Sequence, residues 1–510
     1  MKKFSMLFIG LISMSSLNAQ NITDALRFSQ SNIQGTARFR ALSGAFGALG
    51  GDMSAVSLNP AGSAIFTTSH ASLSLSSSSI SNDVSYFGSP TSASNSEFDF
   101  HQAGVAFVFN SRSDSPWRKI VLSIAYDKLN NYDTNWVARG TNQNNSIDSY
   151  FLANANGLPL GDISTFPGES FSDAYIAIGE AFGTRNQQAF LGFESFVLEP
   201  DDINDDNNTS YTSNVGDGPY DQQYNYAETG YNGKVSFNLA TQYQDKIYLG
   251  LNLNTHFINY ERTSQLFESN NASGPVINEV LFNNRLATLG TGFSFQLGGI
   301  AKLNENIRVG LTYDSPTWYS IRDETAQAIE TFSADGITGS NPNEVFTVNP
   351  QVINVFPDYR LQTPSKITGS TAIIFGKQGL LSFDYSRQDF GNAKFKPTTD
   401  PSFIIQNELI ENLLTVSNTY RLGGEYKINN FSFRGGYRYE ESPYENEDFY
   451  GDLTGYSFGL GYNFGNTKLD LTYDASEREF NHQLYDIGLT DTAALNRNIE
   501  NITLSLSFSI

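Results

Sequence analysis

Period-two alternation, repeated along most of the chain, is the feature that most limits what this sequence can fold into. In Ile502-Thr-Leu-Ser-Leu-Ser-Phe-Ser-Ile510 every even position is large and apolar and every odd one carries a hydroxyl. In Lys468–Asp474, Leu469, Leu471 and Tyr473 share one face while Asp470, Thr472 and Asp474 share the other. Phe431, Phe433, Tyr437 and Tyr439 alternate with Arg434, Gly436 and Arg438, and Leu249, Leu251 and Leu253 alternate with Gly250, Asn252 and Asn254. Side chains alternate across a strand, so each segment is a strand with one oily face and one wet face.

A soluble sandwich shares that pattern, and two further features separate a membrane barrel from it. Tight turns at Gln244–Lys246, Asn304–Asn306, Lys377–Gly379, Asn429–Asn430 and Gly465–Thr467 alternate with long polar loops. Outer-membrane barrels show this asymmetry between their two ends. Many strands are near ten residues or longer, the length that a tilted membrane strand requires. The expected fold is all-β, a 14-stranded antiparallel transmembrane β-barrel, with strands at about 67–87, 98–110, 118–135, 231–243, 247–265, 286–303, 306–320, 364–376, 379–391, 418–428, 431–442, 454–464, 467–480 and 498–510. Tyr313, Trp318, Tyr319, Tyr437, Tyr439, Tyr473 and Phe508 fall towards strand ends and are expected in interfacial aromatic girdles. With 39 Phe and 27 Tyr in 510 residues, aromatic side chains are plentiful enough for that role.

Residues 1–20 read as an export signal. Lys2 and Lys3 precede the apolar run Met6–Ile12, and Leu17-Asn-Ala19 offers a small-residue cleavage site. The formal charge of −22 argues against a nucleic-acid partner. The absence of cysteine removes disulfides, thiol nucleophiles, thiolate metal sites and a bacterial lipid anchor.

Between the signal and the first strand lies a small, glycine-rich apolar stretch, Ala41–Gly62, with Asn59-Pro60 locking a turn near its end. It is too small to be a domain and is expected to form a plug inside the barrel. The expected division is therefore signal 1–20, plug 21–66 and barrel 67–510, with a large extracellular insertion at about 136–230. Within the insertion, Phe171–Phe182 reads as an amphipathic helix. After the ninth strand Ile404, Ile405, Leu409, Ile410, Leu413 and Leu414 recur at helical spacing, either packing loops together or offering a greasy landing site.

Catalytic chemistry finds no support. His70, His101, His256 and His482 are scattered, and no nucleophile elbow, phosphate loop or zinc motif occurs. Asp202, Asn204 and Asp206 have the first spacings of a calcium loop, but Asn207 replaces its glycine and Ser213 its final glutamate, so the run reads as a solvated acidic loop. No cofactor or metal is expected. Arg434 and Arg438, with Asp384 on another polar face, would point into the lumen, to pair there or to meet an anionic head group.

Ser57-Leu-Asn-Pro-Ala-Gly62 resembles the end of the N-terminal hatch of FadL-type outer-membrane transporters, Asn59, Pro60 and Ala61 matching its Asn-Pro-Ala. Ile307–Pro316 is similar to that family's Gly-x-x-Tyr-x-Ser-Pro strand. The resemblance implies passive uptake of hydrophobic compounds such as long-chain fatty acids or aromatic hydrocarbons. The ligand would adsorb to apolar loops, enter a pocket above the hatch, and leave sideways through the barrel wall when the hatch shifts. It further implies hatch residues Asn59, Pro60, Ala61 and Gly62, with Phe39, Leu42, Phe46, Leu49, Ile404, Leu409 and Leu413 on the ligand path. Related barrels in some bacteria serve as docking subunits in protein secretion. The rival reading is thus an outer-membrane docking or assembly barrel that binds a protein partner through its extracellular loops.

Overall fold

The computed structural model describes residues 21–111, 115–337 and 342–510. The expected signal, 1–20, lies outside the described residues. Fourteen strands form the wall among the described residues: β1 (His70–Tyr86), β2 (Ser89–Asn110), β3 (Trp117–Asn131, resuming at Thr134–Asn142), β4 (Tyr220–Tyr243), β5 (Ile247–Ser269), β6 (Glu279–Lys302), β7 (Ile307–Asp314, resuming at Trp318–Ser333), β8 (Tyr359–Gln362, resuming at Lys366–Phe375), β9 (Gly379–Asp389), β10 (Val416–Ile428), β11 (Phe431–Glu440), β12 (Tyr450–Asn463), β13 (Thr467–Gln483) and β14 (Thr492–Ser509). Each pairs antiparallel with its neighbours in chain order, and β1 pairs with β14 from His70↔Ser509 to Ser85↔Ala494, closing the barrel. No helix among the described residues is long and apolar enough to cross a membrane; the strands carry the lipid-facing surface. Ile120, Leu122 and Ile124 on β3, Leu249 and Leu253 on β5, and Leu469 and Leu471 on β13 are all exposed on the outside. Their sequence neighbours Val121, Asn252 and Asp470 are buried inside.

Several strands run past their expected ends, β7 to Ser333 rather than 320 and β6 from Glu279 rather than 286, and three further departures have a local reason. β2 begins at Ser89, not near 98, because a two-residue turn with Phe87 and Gly88 both at positive φ closes β1 onto a Ser/Thr-rich continuation. β3 runs on to Asn142 and β4 starts at Tyr220, so the part of the insertion outside the wall is 143–219, which holds a small two-stranded sheet of Leu198–Pro200 and Tyr211–Ser213. In β7, the pairing partner against β6 shifts by one residue between Asp314↔Gln296 and Trp318↔Phe293, across Ser315-Pro316-Thr317. Pro316 has no N–H for the ladder, and the irregularity reverses the face. Tyr313 and Trp318 therefore point outward at 37% and 41% exposure while Tyr319 is buried inside, against its expected girdle position.

The insertion carries helices α4 (Asp148–Ala155), α5 (Phe171–Phe182) and α6 (Thr184–Glu194) in the numbering that follows the three N-terminal helices α1 (Ile22–Ser29), α2 (Ala37–Ala41) and α3 (Met53–Leu58). Phe151, Tyr175, Phe190 and Leu191 pack with Trp136, Tyr224, Phe282 and Leu495 of the wall into one apolar cluster. The insertion thereby caps one end of the barrel. The loop after β9 forms α7 (Pro401–Leu413), capped by Asp400 and started by Pro401.

Candidate functional site

The N-terminal segment lies inside the barrel and is pinned there by polar groups on the inner face of the strands. Arg40, 1% exposed, donates through Nε and a terminal nitrogen to both oxygens of Asp474 at 2.7 and 2.9 Å. Arg38 meets Glu425 at 3.0 Å, and Glu425 and Asp470 in turn each take Arg434 at 2.6 Å. Asp384 accepts the backbone N–H groups of Phe46 and Gly47 at 3.0 and 2.9 Å. The lumen charges singled out in the sequence thus serve other carboxylates and the N-terminal segment; Arg434 does not pair with Asp384, and Arg438 reaches Glu440 at 3.5 Å. Buried bidentate pairs of this kind fix geometry, because losing one member strands the other charge.

Asn59 sits at the centre of the seating. Its Nδ2 donates to the carbonyl of Gly47 at 2.7 Å and to that of Gly299 on β6 at 3.2 Å, while its Oδ1 accepts from Ala61 N at 3.1 Å. The Pro60 carbonyl accepts from Asn238 of β4 at 2.9 Å, and the Gly62 carbonyl closes the turn by accepting from Gly51 at 3.0 Å. The wall makes room with glycine. A Cβ on Gly250 or Gly298 would overlap the Asn59–Ala61 backbone or the Asn59 side chain, and one on Gly436 would lie 2.6 Å from Ser43 N. These inward glycines were visible on the polar faces of the strands, but only the bound segment explains them.

Phe39, Leu42, Phe46 and Leu49 pack with Ala48, Ala55, Leu58 and Ala372 into a closed core, each 8% exposed or less. None of the four lines the large cavity of the barrel. That cavity, about 1910 Å³, lies between α1, the inner wall, α7 and the loops after β11 and β13. Leu409 and Leu413 line it together with Ile22, Leu26, Trp136 and Tyr226. Ile404 is 42% exposed on α7 and is not part of the lining.

α1 forms one side of the chamber. Asn21 caps it through a reciprocal bond with Asp24, and Ala25, Leu26 and Phe28 bury against Tyr132, Tyr260 and Leu286. Arg27 stacks 4.4 Å over the Tyr260 ring and reaches Glu228 at 3.4 Å. Glu228 also accepts the hydroxyls of Tyr226 and Tyr260, both at 2.6 Å. One wall carboxylate therefore holds the helix. Above it, burial pushes the Asp486 carboxyl, in the loop after β13, above its ordinary range.

The wall has an interrupted seam beside this chamber. The β2–β3 ladder ends at Gln102↔Asp127. Beyond it, residues 89–101 pair with β1, and 128–142 pair with β4. Side chains alone span the interval outside: Lys128 pairs with Asp99, Asn131 donates to Glu97 at 2.6 Å, and Asn95 donates to the Asp133 carbonyl at 3.3 Å. From inside, the arm after α1 holds both edges. Asn32 N donates to Asn130 Oδ1 at 3.0 Å and Asn130 donates to the Gln30 carbonyl at 2.8 Å, while Gln34 bonds His101 of β2. Gln30, Asn32, Asn130, Tyr132 and Thr134 all line the chamber, so the cavity extends to the seam. Outside, the stacked rings of Phe100, Tyr126 and Phe257 flank it with apolar surface.

The remaining sequence candidates are dispersed. His101, His256 and His482 bond or stack with separate partners, Gln34, Ser294 and Trp136. Asp202 and Asp205 accept from the backbone N–H groups of Asn204 and Asn207, both at 3.0 Å, capping their own exposed turns.

The sequence profile of the outer membrane protein transport proteins (OMPP1/FadL/TodX) matches residues 208–482. Among solved structures, a Pseudomonas aeruginosa FadL homologue superposes with a TM-score of 0.57 at 11% identity, covering 94% of this chain and 99% of that one. The P. putida toluene transporter TodX superposes with a TM-score of 0.52 at 13% identity, covering 94% and 99%. At such identities these two likenesses concern the fold. No curated protein matches the sequence significantly. The profile spans more than half of the 510 residues, and the chain belongs to the OMPP1/FadL/TodX family of outer-membrane β-barrel transport proteins.

Proposed function

We propose that this protein admits hydrophobic compounds from outside the cell, long-chain fatty acids or aromatic hydrocarbons among them, and releases them sideways into the outer membrane. Residues 21–66 act as the hatch. The ligand reaches the chamber past α7, where Leu409 and Leu413 offer apolar surface, and displaces α1 and the arm that follows it. Phe39, Leu42, Phe46 and Leu49 act indirectly, as the core that keeps Asn59–Gly62 seated. Burial of apolar surface drives entry, and no energy source is required for a ligand that moves from water to lipid. The observation that carries this reading is the continuity of the chamber with the β2–β3 seam, at Asn32, Asn130 and Tyr132.

The test uses the natural absence of cysteine. Glu97→Cys and Asn131→Cys together place thiols on the two edges of the seam. The oxidised double variant is expected to lose uptake of both a labelled fatty acid and toluene, and reductant is expected to restore it. Equal uptake in the oxidised and reduced forms, with the disulfide verified by mass, overturns lateral release.

A further inference from the structure

The end of the barrel that carries the short turns, the periplasmic end of an outer-membrane barrel, has a charge opposite in sign to that of the whole chain. Lys119 of β3, Lys302 of β6, Lys427 of β10 and Lys468 of β13 each stand two positions from a buried residue, Val121, Ile300, Glu425 and Asp470 in turn. Arg308 of β7 stands opposite buried Ala372 in the ladder. All five therefore share the inward face at this mouth. Arg118, Lys246 and Lys377, within or beside the turns, are exposed. Against these eight cations stand three carboxylates: exposed Asp245 and Glu305 in the turns, and buried Asp52 of the N-terminal segment, which accepts from Thr36 and Ser54 at 2.7 and 3.0 Å. Deeper in the lumen Glu425 and Asp470 are matched in number by Arg38 and Arg434, and between β2 and β3 the sequence adds Arg112 and Asp114, one of each sign. The excess, eight less three, is five positive charges, in a chain whose formal charge is −22.

Three of the inward cations make no ion pair among the described residues. Lys119 Nζ donates to the Phe66 carbonyl at 2.6 Å, Arg308 donates to the Leu49 carbonyl at 3.0 Å, and Lys302 Nζ lies 5.2 Å over the Tyr248 ring. Lys302 also stands opposite Arg308 in the β6–β7 ladder, a destabilising like-charge pairing. Among the described residues Lys427 alone of the eight makes an ion pair, with Glu425 at 3.2 Å. The lipid-facing positions at this end are of another kind: Trp117, Ile247, Phe375, Ile428 and Phe464 form an exposed apolar collar. The inward cations stand within that collar, at the mouth, and not on the flank where phospholipid headgroups lie.

We propose that this mouth docks an acidic segment of a soluble periplasmic protein, an extended run with several Asp or Glu side chains. The inward cations belong to β3, β6, β7, β10 and β13, spread around a wall of fourteen strands. Neighbouring strands lie about 4.8 Å apart, so one phosphate or carboxylate reaches few of these cations and a run of carboxylates reaches many. Positive charge gathered at one end also steers an acidic partner there and away from the acidic remainder of the surface. The inference is independent of the uptake reading, since it concerns what the barrel meets at its periplasmic end, whatever passes through the chamber.

The test is fluorescence anisotropy with the full chain in an uncharged detergent. The probes are dye-labelled peptides of ten Glu-Ser repeats and of ten Gln-Ser repeats. The Glu-Ser peptide is expected to bind at least about tenfold more tightly than the Gln-Ser peptide, against the net charge of the barrel, and to weaken about tenfold as salt rises from about 50 to about 200 mM. Lys302→Gln combined with Lys468→Gln is expected to weaken it about fivefold, and neither lysine hydrogen-bonds the N-terminal segment among the described residues. Arg285→Gln combined with Arg322→Gln makes the same charge change at the opposite end of the wall and is expected to leave binding within about twofold. The peptide comparison and the salt series on the unaltered barrel keep the test valid where a variant does not fold. Equal binding of the two peptides, insensitivity to salt, or equal losses in the two double variants overturns the docking mouth. At constant ionic strength, displacement of the peptide by inorganic phosphate reduces the mouth to a single-anion site, and displacement by phosphatidylglycerol makes it a lipid site; either result overturns protein docking.

Discussion

The floor of the barrel and the chamber above it are built from the same fourteen strands by opposite means. At the floor, inward positions are glycine, small or amide polar residues, or a paired charge, and the N-terminal segment fills the lumen: Gly298 meets Asn59, Gly436 meets Ser43, Asn238 holds the Pro60 carbonyl, and Asp474 is matched to Arg40. In the chamber the inward positions are long and polar or aromatic, among them Arg421, Arg478, Trp136 and Tyr226, and they surround open space. Small residues allow backbone to approach backbone, so the floor is a fitted joint. Long side chains around a void keep surfaces apart and leave the chamber open. The contrast separates a close-packed joint from an open chamber in a wall that is continuous by hydrogen bonding.

The largest effect is expected from spoiling the joint. Gly298→Leu places a side chain on Asn59 and Pro60, and overpacking of a close-packed site costs about 1–3 kcal/mol. The expected outcome is an unseated N-terminal segment in an intact barrel. Cells carrying the variant become several-fold more sensitive to a bulky hydrophilic antibiotic, and the purified protein retains its heat-modifiable migration. Unchanged sensitivity would show that the glycine contacts are not what closes the lumen.

A smaller and more local effect is expected in the chamber. Glu228→Gln removes the charge that holds Arg27 and weakens the acceptor shared by Tyr226 and Tyr260. The glutamine keeps a neutral acceptor, so the loss is the difference between charged and neutral bonds, about 1–1.5 kcal/mol, enough to raise local opening of α1 by roughly five- to tenfold. Hydrogen exchange over residues 22–29 is expected to speed up while the floor, residues 37–65, keeps its protection. Equal loss in both segments contradicts the separation of joint from chamber.

Much of the wall was legible because the physics acting on it is local. An oily face and a wet face leave period two in the sequence wherever lipid lies on one side, and Leu469–Tyr473 or Ile502–Ile510 need no partner to be read. Legibility failed where a strand leaves the bilayer or where proline breaks its phase. Ser89–Glu97 and Tyr220–Gly230 have polar groups on both faces, so the strands continue without a signal of alternation. Tyr319 was misplaced because Pro316 shifts the pairing before it, a matter of register rather than composition. The candidate site was harder still. Asn59 and Pro60 announce a turn, but the glycines that receive it are more than 170 residues away, and their meaning depends on strand neighbours. The aromatic and leucine positions Phe39, Leu42, Phe46 and Leu49 looked like a binding surface because apolar residues in a plug serve either a core or a ligand, and burial alone separates the two. Arg421 opposite Arg438 is a fact of register that no single strand reveals.

The smallest effect, and the one that resolves the chamber most finely, concerns α7. Three of its apolar residues differ in placement: Leu409 lines the cavity at intermediate exposure, Leu413 lines it at 44%, and Ile404 at 42% lies outside the lining. Full burial of a leucine against a ligand is worth about 1.5–3 kcal/mol, and a partly exposed side chain earns a fraction of that. Leu409→Ala is therefore expected to weaken binding of a long-chain probe by about 1 kcal/mol, close to fivefold, Leu413→Ala by about half that energy, and Ile404→Ala not measurably. None of the three should alter the seating of the N-terminal segment, because the floor core contains no residue of α7. Equal losses at all three positions would mean that the ligand lies along the outer face of the helix instead of within the chamber. Loss at Ile404 alone would move the first contact to the loop surface and leave the cavity as a later station on the route.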